Sequence, residues 1–237
     1  MTAVRIWDVN PGYLNRQSLL GEHREIHGLF SVIKNGKKGY SQHPETRRWY
    51  GRLPALILRH ELLVSEMSLR GYKHYSPMFD LESAAPDRGN QKEYRYVDLP
   101  HRQFEILIEK YVDREPGRIP LPVNCQQLWA QHKYSVLARD PDYYKKIGPL
   151  VSTDNGRELF QRLSREFVEL LTTPPPHGRL INALYHMWGY VSSFASNPNP
   201  GNDLKEMINA IRCLSLKHQV TYLVQSTALS DLTLYLD

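Results

Sequence analysis

The run Gln17-Ser18-Leu19-Leu20-Gly21-Glu22-His23-Arg24-Glu25-Ile26 holds two carboxylates three residues apart, with an arginine between them. Laid on a helix, Glu22 falls on the apolar face beside Leu19 and Ile26. Glu25 falls at its rim near Leu29, and Arg24 points to the polar side. A carboxylate at the edge of apolar surface loses hydration, which raises its pKa and suits it to proton transfer. An arginine on the open side suits a phosphate. A solvated helix face is the plain alternative for the same residues.

A second group of chemistry-bearing residues lies far along the chain. His132, Lys133 and Tyr134 are consecutive, and Asn182 and His186 stand four apart, on one helical face. His132, Lys133 and Tyr134 are all capable of acid/base work or phosphate contact. A buried polar network that fixes helix packing is the other reading. No C-x2-C or H-E-x-x-H spacing occurs, so no metal and no cofactor are expected. No glycine-rich phosphate loop occurs either.

The elements that must carry these residues read as helices. Apolar spacing predicts one over 15–33, closed by Gly36 and Gly39, and a second over 53–69, stopped at Gly71 in a C′ position. Segment 81–97 is polar, with Pro86, Gly89 and Asn90, and reads as a linker. Further helical patterns cover roughly 98–113, 123–138, 154–172, 178–196 and 203–226, with breaks at Pro174-Pro175-Pro176 and Asn197-Pro198-Asn199-Pro200-Gly201. Few segments alternate, so an all-α protein is expected.

The chain has 237 residues and a net charge of +5. Residues 1–80 hold 12 Lys+Arg against 7 Asp+Glu, which accounts for the entire excess. Seven bases but only one acid, Glu45, fall within Lys34–Arg59, interleaved with Tyr40, Trp49 and Tyr50. Such a segment suits a phosphate backbone and exposed bases, with a solvated basic face as its rival. Two cysteines, Cys125 and Cys213, give no disulfide framework and fit a reducing cytoplasm. No apolar stretch is long enough to span a membrane, and the early acid Asp8 argues against a leader.

The Glu22-His23-Arg24-Glu25 helix, with Tyr50-Gly51-Arg52-Leu53 leading into the next helix and Leu69-Arg70-Gly71-Tyr72 closing it, resembles the phage-type pyrimidine-dimer DNA glycosylase/AP lyase family over about residues 3–76. The resemblance implies that the α-amine left after removal of Met1, on Thr2, attacks C1′ of a damaged nucleotide. An imine forms, the base leaves, and β-elimination nicks the strand. It further implies that Glu25 is the catalytic carboxylate and that Arg5 and Arg24 hold phosphates. Lys37, Arg47, Arg48 and Arg52 join them as backbone contacts. Aligning Arg5 and Glu25 without gaps places Val4, not Thr2, at the family's nucleophile position. Gly28 stands where the family has a base, and the loop between the two helices is shorter.

Leu128-Trp129-Ala130-Gln131-His132-Lys133-Tyr134, Asp140-Pro141-Asp142-Tyr143-Tyr144 and Asn182-Ala183-Leu184-Tyr185-His186-Met187-Trp188-Gly189-Tyr190 are similar to the YbgA-like helical family of unresolved function, over about residues 100–230. The two resemblances imply a glycosylase-like module at 1–80, a linker at 81–97 and a helical bundle domain at 98–237. The expected partner is damaged duplex DNA, with other repair or base-modifying proteins also implied. Two rivals stay open: a nucleic-acid-binding protein without chemistry, and a nucleobase-modifying enzyme whose site lies in the second domain.

Overall fold

The computed structural model describes residues 4–76, 96–197, 199, 201 and 203–236. Thr2 and residues 81–95 of the expected linker lie outside them. Among the described residues there are eleven α-helices and no strand, so the all-α expectation holds. None of these helices is long and apolar enough to cross a membrane.

The described residues begin as a strap, 4–14, that is extended up to a single 3-10 turn at Pro11–Tyr13 and whose Ile6, Trp7, Val9, Tyr13 and Leu14 are buried. Helix α1 (Arg16–Lys34) starts at Asn15, whose side chain accepts from Ser18 N at 2.9 Å and so satisfies one of the free amides of the first turn. A short helix, α2 (Pro44–Trp49), follows; six residues carry too little periodicity to be read from sequence. Helix α3 (Leu53–Leu69) packs against α1. It ends where sequence places its end. Gly71 has φ +73°, Gly71 N donates to Ser68 O at 3.0 Å and Tyr72 N donates to Met67 O at 2.9 Å. This pair of bonds is the Schellman closure, which requires a left-handed residue that glycine adopts without a Cβ penalty.

The remaining helices are α4 (Pro100–Lys110), α5 (Cys125–Leu137), α6 (Pro141–Thr153), α7 (Arg157–Leu171), α8 (His177–Trp188), α9 (Leu204–Lys217), α10 (Thr221–Val224) and α11 (Ala228–Asp231). Helix α11 is absent from the sequence reading, and so is α6. The start of α6 is written in Asp140-Pro141: the Asp140 side chain accepts from Tyr143 N at 2.9 Å, and proline fits the first turn. Helix α5 is central, packing on α6, α7 and α8.

One core runs from the strap through α1, α3, α4, α5 and α7, from Ile6 to Phe167. A second joins Leu69 to α8, α9 and the C-terminal turns. The two parts of the chain thus share buried surface. At one point they meet backbone on backbone. Ile119 N donates to Gly12 O at 2.9 Å, and a Cβ at Gly117 would lie 2.5 Å from the Tyr13 carbonyl carbon. Glu66 on α3 adds a charged tie, accepting from Arg70 Nε at 2.7 Å and from Arg118 Nε and Nη2 at 2.9 and 2.6 Å. Burial pushes the Glu66 carboxyl up, but Arg118 and Arg70 outweigh it and hold it below its ordinary range.

Candidate functional site

The two carboxylates of α1 have opposite environments. Glu22 is buried and accepts from Arg59 Nε at 2.7 Å, Arg59 Nη2 at 3.0 Å and Trp7 N at 3.2 Å. Glu25, one turn on, is half-exposed, and no hydrogen bond or ion pair engages it among the described residues. Arg24 is exposed, its Nε donating to Leu20 O at 3.3 Å. It shares a surface groove with Arg16 and Arg114, two bases that sequence reading did not single out. Arg114 is brought there from 90 positions away, with no local signal.

The other expected phosphate contacts divide. Lys37 and Arg47 are exposed, with Lys37 Nζ donating to Ser31 Oγ at 2.8 Å. Arg52 is half-buried over the Trp49 ring. Arg5 pairs with Asp98 at 2.5 Å and lies over Trp7, 4.7 Å from the ring centre. Arg48 faces inward and departs from the phosphate-contact expectation. It is buried, donates to Glu45 at 2.8 Å and to Asp8 at 2.9 Å, and its Nη2 donates to Ile6 O at 2.9 Å. Arg59 and Arg70 do the same to Val9 O (2.9 Å) and Leu14 O (2.7 Å). An extended strap has no internal ladder, so its carbonyls need donors from elsewhere. Three arginines supply them, and part of the basic excess is therefore structural.

A cavity of about 340 Å³ lies between the two parts of the chain, lined by Trp7, Trp49, Arg52, Arg59, His132 and Tyr235 among others. His132 is buried, and burial lowers its pKa to about 4. Its Nδ1 stands 2.8 Å from Leu128 O. A carbonyl only accepts, so Nδ1 carries the proton and Nε2 is left as an acceptor. Lys133 Nζ sits over three rings, Tyr222 at 4.4 Å, Tyr134 at 4.8 Å and Tyr190 at 5.8 Å. Burial raises the pKa of the Tyr134 hydroxyl, and Tyr190 adds to it. Asn182 and His186 are exposed on α8 and form no hydrogen bond with this group among the described residues.

One further cluster of nitrogen donors was not among the residues singled out from the sequence. His23 and His27 on α1, His60 on α3 and His74 beyond Gly71 bring their ring nitrogens together, all within 4.8 Å of one another. His23 Nε2 lies 3.0 Å from His74 Nε2, 3.1 Å from His60 Nε2 and 3.4 Å from His27 Nε2. Burial lowers the His23 pKa to about 4, with the neighbouring rings adding to the effect. Burial lowers His27 and His74 as well. The available signal was the His23-x3-His27 pair, which places two rings on one helical face.

An all-α protein with this helix pair at its start fits the class inferred from the motifs. Residues 4–80 match the family model described as pyrimidine dimer DNA glycosylase. Residues 133–211 match the family described as protein of unknown function (DUF1722). No curated protein and no solved structure matches the chain.

Proposed function

We propose that this protein is a DNA-repair glycosylase with AP lyase activity, acting on damaged pyrimidines through its N-terminal third. The observation that carries the reading is the match over residues 4–80 to a pyrimidine dimer glycosylase family. Within that segment, Glu25 is left open beside Arg24 while Glu22 is locked to Arg59.

An α-amine has a pKa of about 7.7–8.0, so a usable fraction is a neutral nucleophile near pH 7. In the proposed reaction its lone pair attacks C1′ and the glycosidic electron pair leaves with the base, which takes a proton. The amine then loses its protons, and the imine forms as the C1′–O4′ bond breaks, opening the sugar ring with O4′ taking a proton. Removal of a C2′ proton then expels the 3′-phosphate. Glu25 stabilises the positive sugar and carries protons. Trp7 N donates to Glu22, one helical turn from Glu25, which brings the strap to the carboxylate pair.

Borohydride reduction of a reaction with abasic-site DNA tests this reading. A covalent complex mapped to the α-amine is expected, and N-terminal acetylation should abolish it. Glu25→Gln should cut nicking by about 100-fold or more and leave DNA affinity unchanged. Absence of both adduct and nicking, from chains starting at Thr2 and at Val4, would leave nucleic-acid binding without chemistry as the better description.

A further inference from the structure

The four-histidine cluster has no satisfactory arrangement of protons. His23 Nε2 faces three ring nitrogens at 3.0, 3.1 and 3.4 Å. A neutral imidazole nitrogen offers either one N–H or one in-plane lone pair, so it satisfies one neighbour and leaves the other two opposed to it or to each other. Protonating the rings resolves nothing, since adjacent buried imidazoliums repel. One object satisfies four converging nitrogens together: a cation at their centre.

The dimensions agree. Four nitrogens about 2.0–2.1 Å from a tetrahedral ion stand roughly 3.3 Å from each other. The three pairs that share His23 Nε2 lie at 3.0–3.4 Å, and all four donor atoms lie within 4.8 Å of one another. Five ring pairs have centroids 4.7–5.4 Å apart, near the roughly 5 Å that such coordination gives imidazole rings. Most of these pairs are edge-on rather than stacked, with interplanar angles of 63–90° in four of the five. The outer arrangement agrees too. Glu61 Oε1 lies 2.9 Å from His60 Nδ1. A carboxylate there holds the proton on Nδ1 and turns the Nε2 lone pair inward, the usual support for a metal-bound histidine.

We propose that His23, His27, His60 and His74 form a site for a single divalent transition ion, with zinc the best fit. Four imidazoles with neither thiolate nor bound oxygen disfavour magnesium and calcium, and zinc accepts imidazole nitrogens with no d-electron demand for a planar arrangement. The ion would pin α1 to α3 and to the chain beyond Gly71, one residue from Glu22 and two from Glu25. The ligands are neutral, so the ion keeps its two charges, partly balanced by Glu61. Metal binding here stands or falls independently of any DNA chemistry.

The test uses the full chain, stripped with a chelator and titrated with Co²⁺ and Zn²⁺. One ion per chain is expected, with the strong visible absorption of four-coordinate Co²⁺, its displacement by Zn²⁺, and a higher Tm in the loaded protein. His60 is fully buried and its loss risks the fold, so the informative variant is H27A/H74A, at two partly exposed positions. Its affinity should fall by more than about 100-fold, and that of Glu61→Gln by about 10–100-fold, with the helical circular dichroism of both retained. Absent or substoichiometric uptake by the native chain would overturn the proposal. So would unchanged affinity in the double variant, which would move binding to the other histidines.

Discussion

Arg59 grips both oxygens of Glu22, Nε at 2.7 Å and Nη2 at 3.0 Å, in the interior between α1, α3 and the strap. Burial raises the Glu22 pKa, and Arg59 pulls it back. Removing one partner strands the other charge, so Arg59→Ala should cost about 3–5 kcal/mol in urea unfolding. Glu25→Gln, with no partner to lose, should stay within about 0.5 kcal/mol. Equal costs at Arg59 and Glu25 would mean that Glu25 is structural and not a reacting group.

Arg47 and Arg48 are adjacent in sequence and opposite in setting. Arg47 is exposed, whereas Arg48 is buried among Asp8, Glu45 and Ile6 O. If the N-terminal third binds duplex DNA, Arg47→Ala should lower the log–log salt slope of binding by about 1. Arg48→Ala should leave that slope alone and lower stability by several kcal/mol, about 3–5 if the stranded carboxylates behave as other buried pairs do. A salt slope unaffected by Arg47 and reduced by Arg48 would reverse the assignment.

His132 makes stability depend on pH. Its folded pKa of about 4 lies below the unfolded value of about 6.5. The unfolded chain therefore binds a proton first as pH falls. The stability that neutral His132 contributes is full above about 6.5 and is lost as pH drops toward about 4, some 3 kcal/mol across that window. Comparing native protein with His132→Gln at pH 7.5 and pH 5 isolates this effect from the other histidines, because only the difference between the two proteins is read. Parallel pH profiles would show that the ring is hydrated or already protonated in the fold.

Gly117 allows no side chain. A Cβ would lie 2.5 Å from the Tyr13 carbonyl carbon and 2.6 Å from Gly12 O, and backbone cannot rotate out of the way as a side chain can. Gly117→Ala should cost at least the 1–3 kcal/mol typical of overpacking and loosen the strap, seen as faster amide exchange at Ile119. Gly28→Ala, on α1 with open space around it, should be neutral or stabilising by up to about 1 kcal/mol.

Most helices were legible because each has a sustained apolar face. The 53–69 prediction coincides with α3, because Gly71 closes it with a conformation that only a few residues adopt. Helices α2, α6 and α11 were not read, α2 and α11 being short and α6 masked by Pro149 and polar residues. At the site, Glu22 turning inward and Arg24 outward followed from the wheel. The fate of the arginines did not. A count of bases cannot tell a guanidinium that faces water from one that serves strap carbonyls, since those carbonyls belong to residues 42 to 59 positions earlier. The histidine cluster escaped for a related reason: His60 and His74 join the His23–His27 pair only once α1 and α3 have packed.

The strap's burial has a consequence for synthesis. Tyr13 meets Phe104 edge-on at 5.0 Å and donates to Gln131 at 2.8 Å, and the core that holds it extends to Phe167. At roughly 5–20 residues added per second, the first helices leave the ribosome many seconds before these partners exist. During that interval Ile6, Trp7, Val9 and Tyr13 have only α1 and α3 to cover them. The strap therefore completes its burial only after residues as far along the chain as Phe167 have been made.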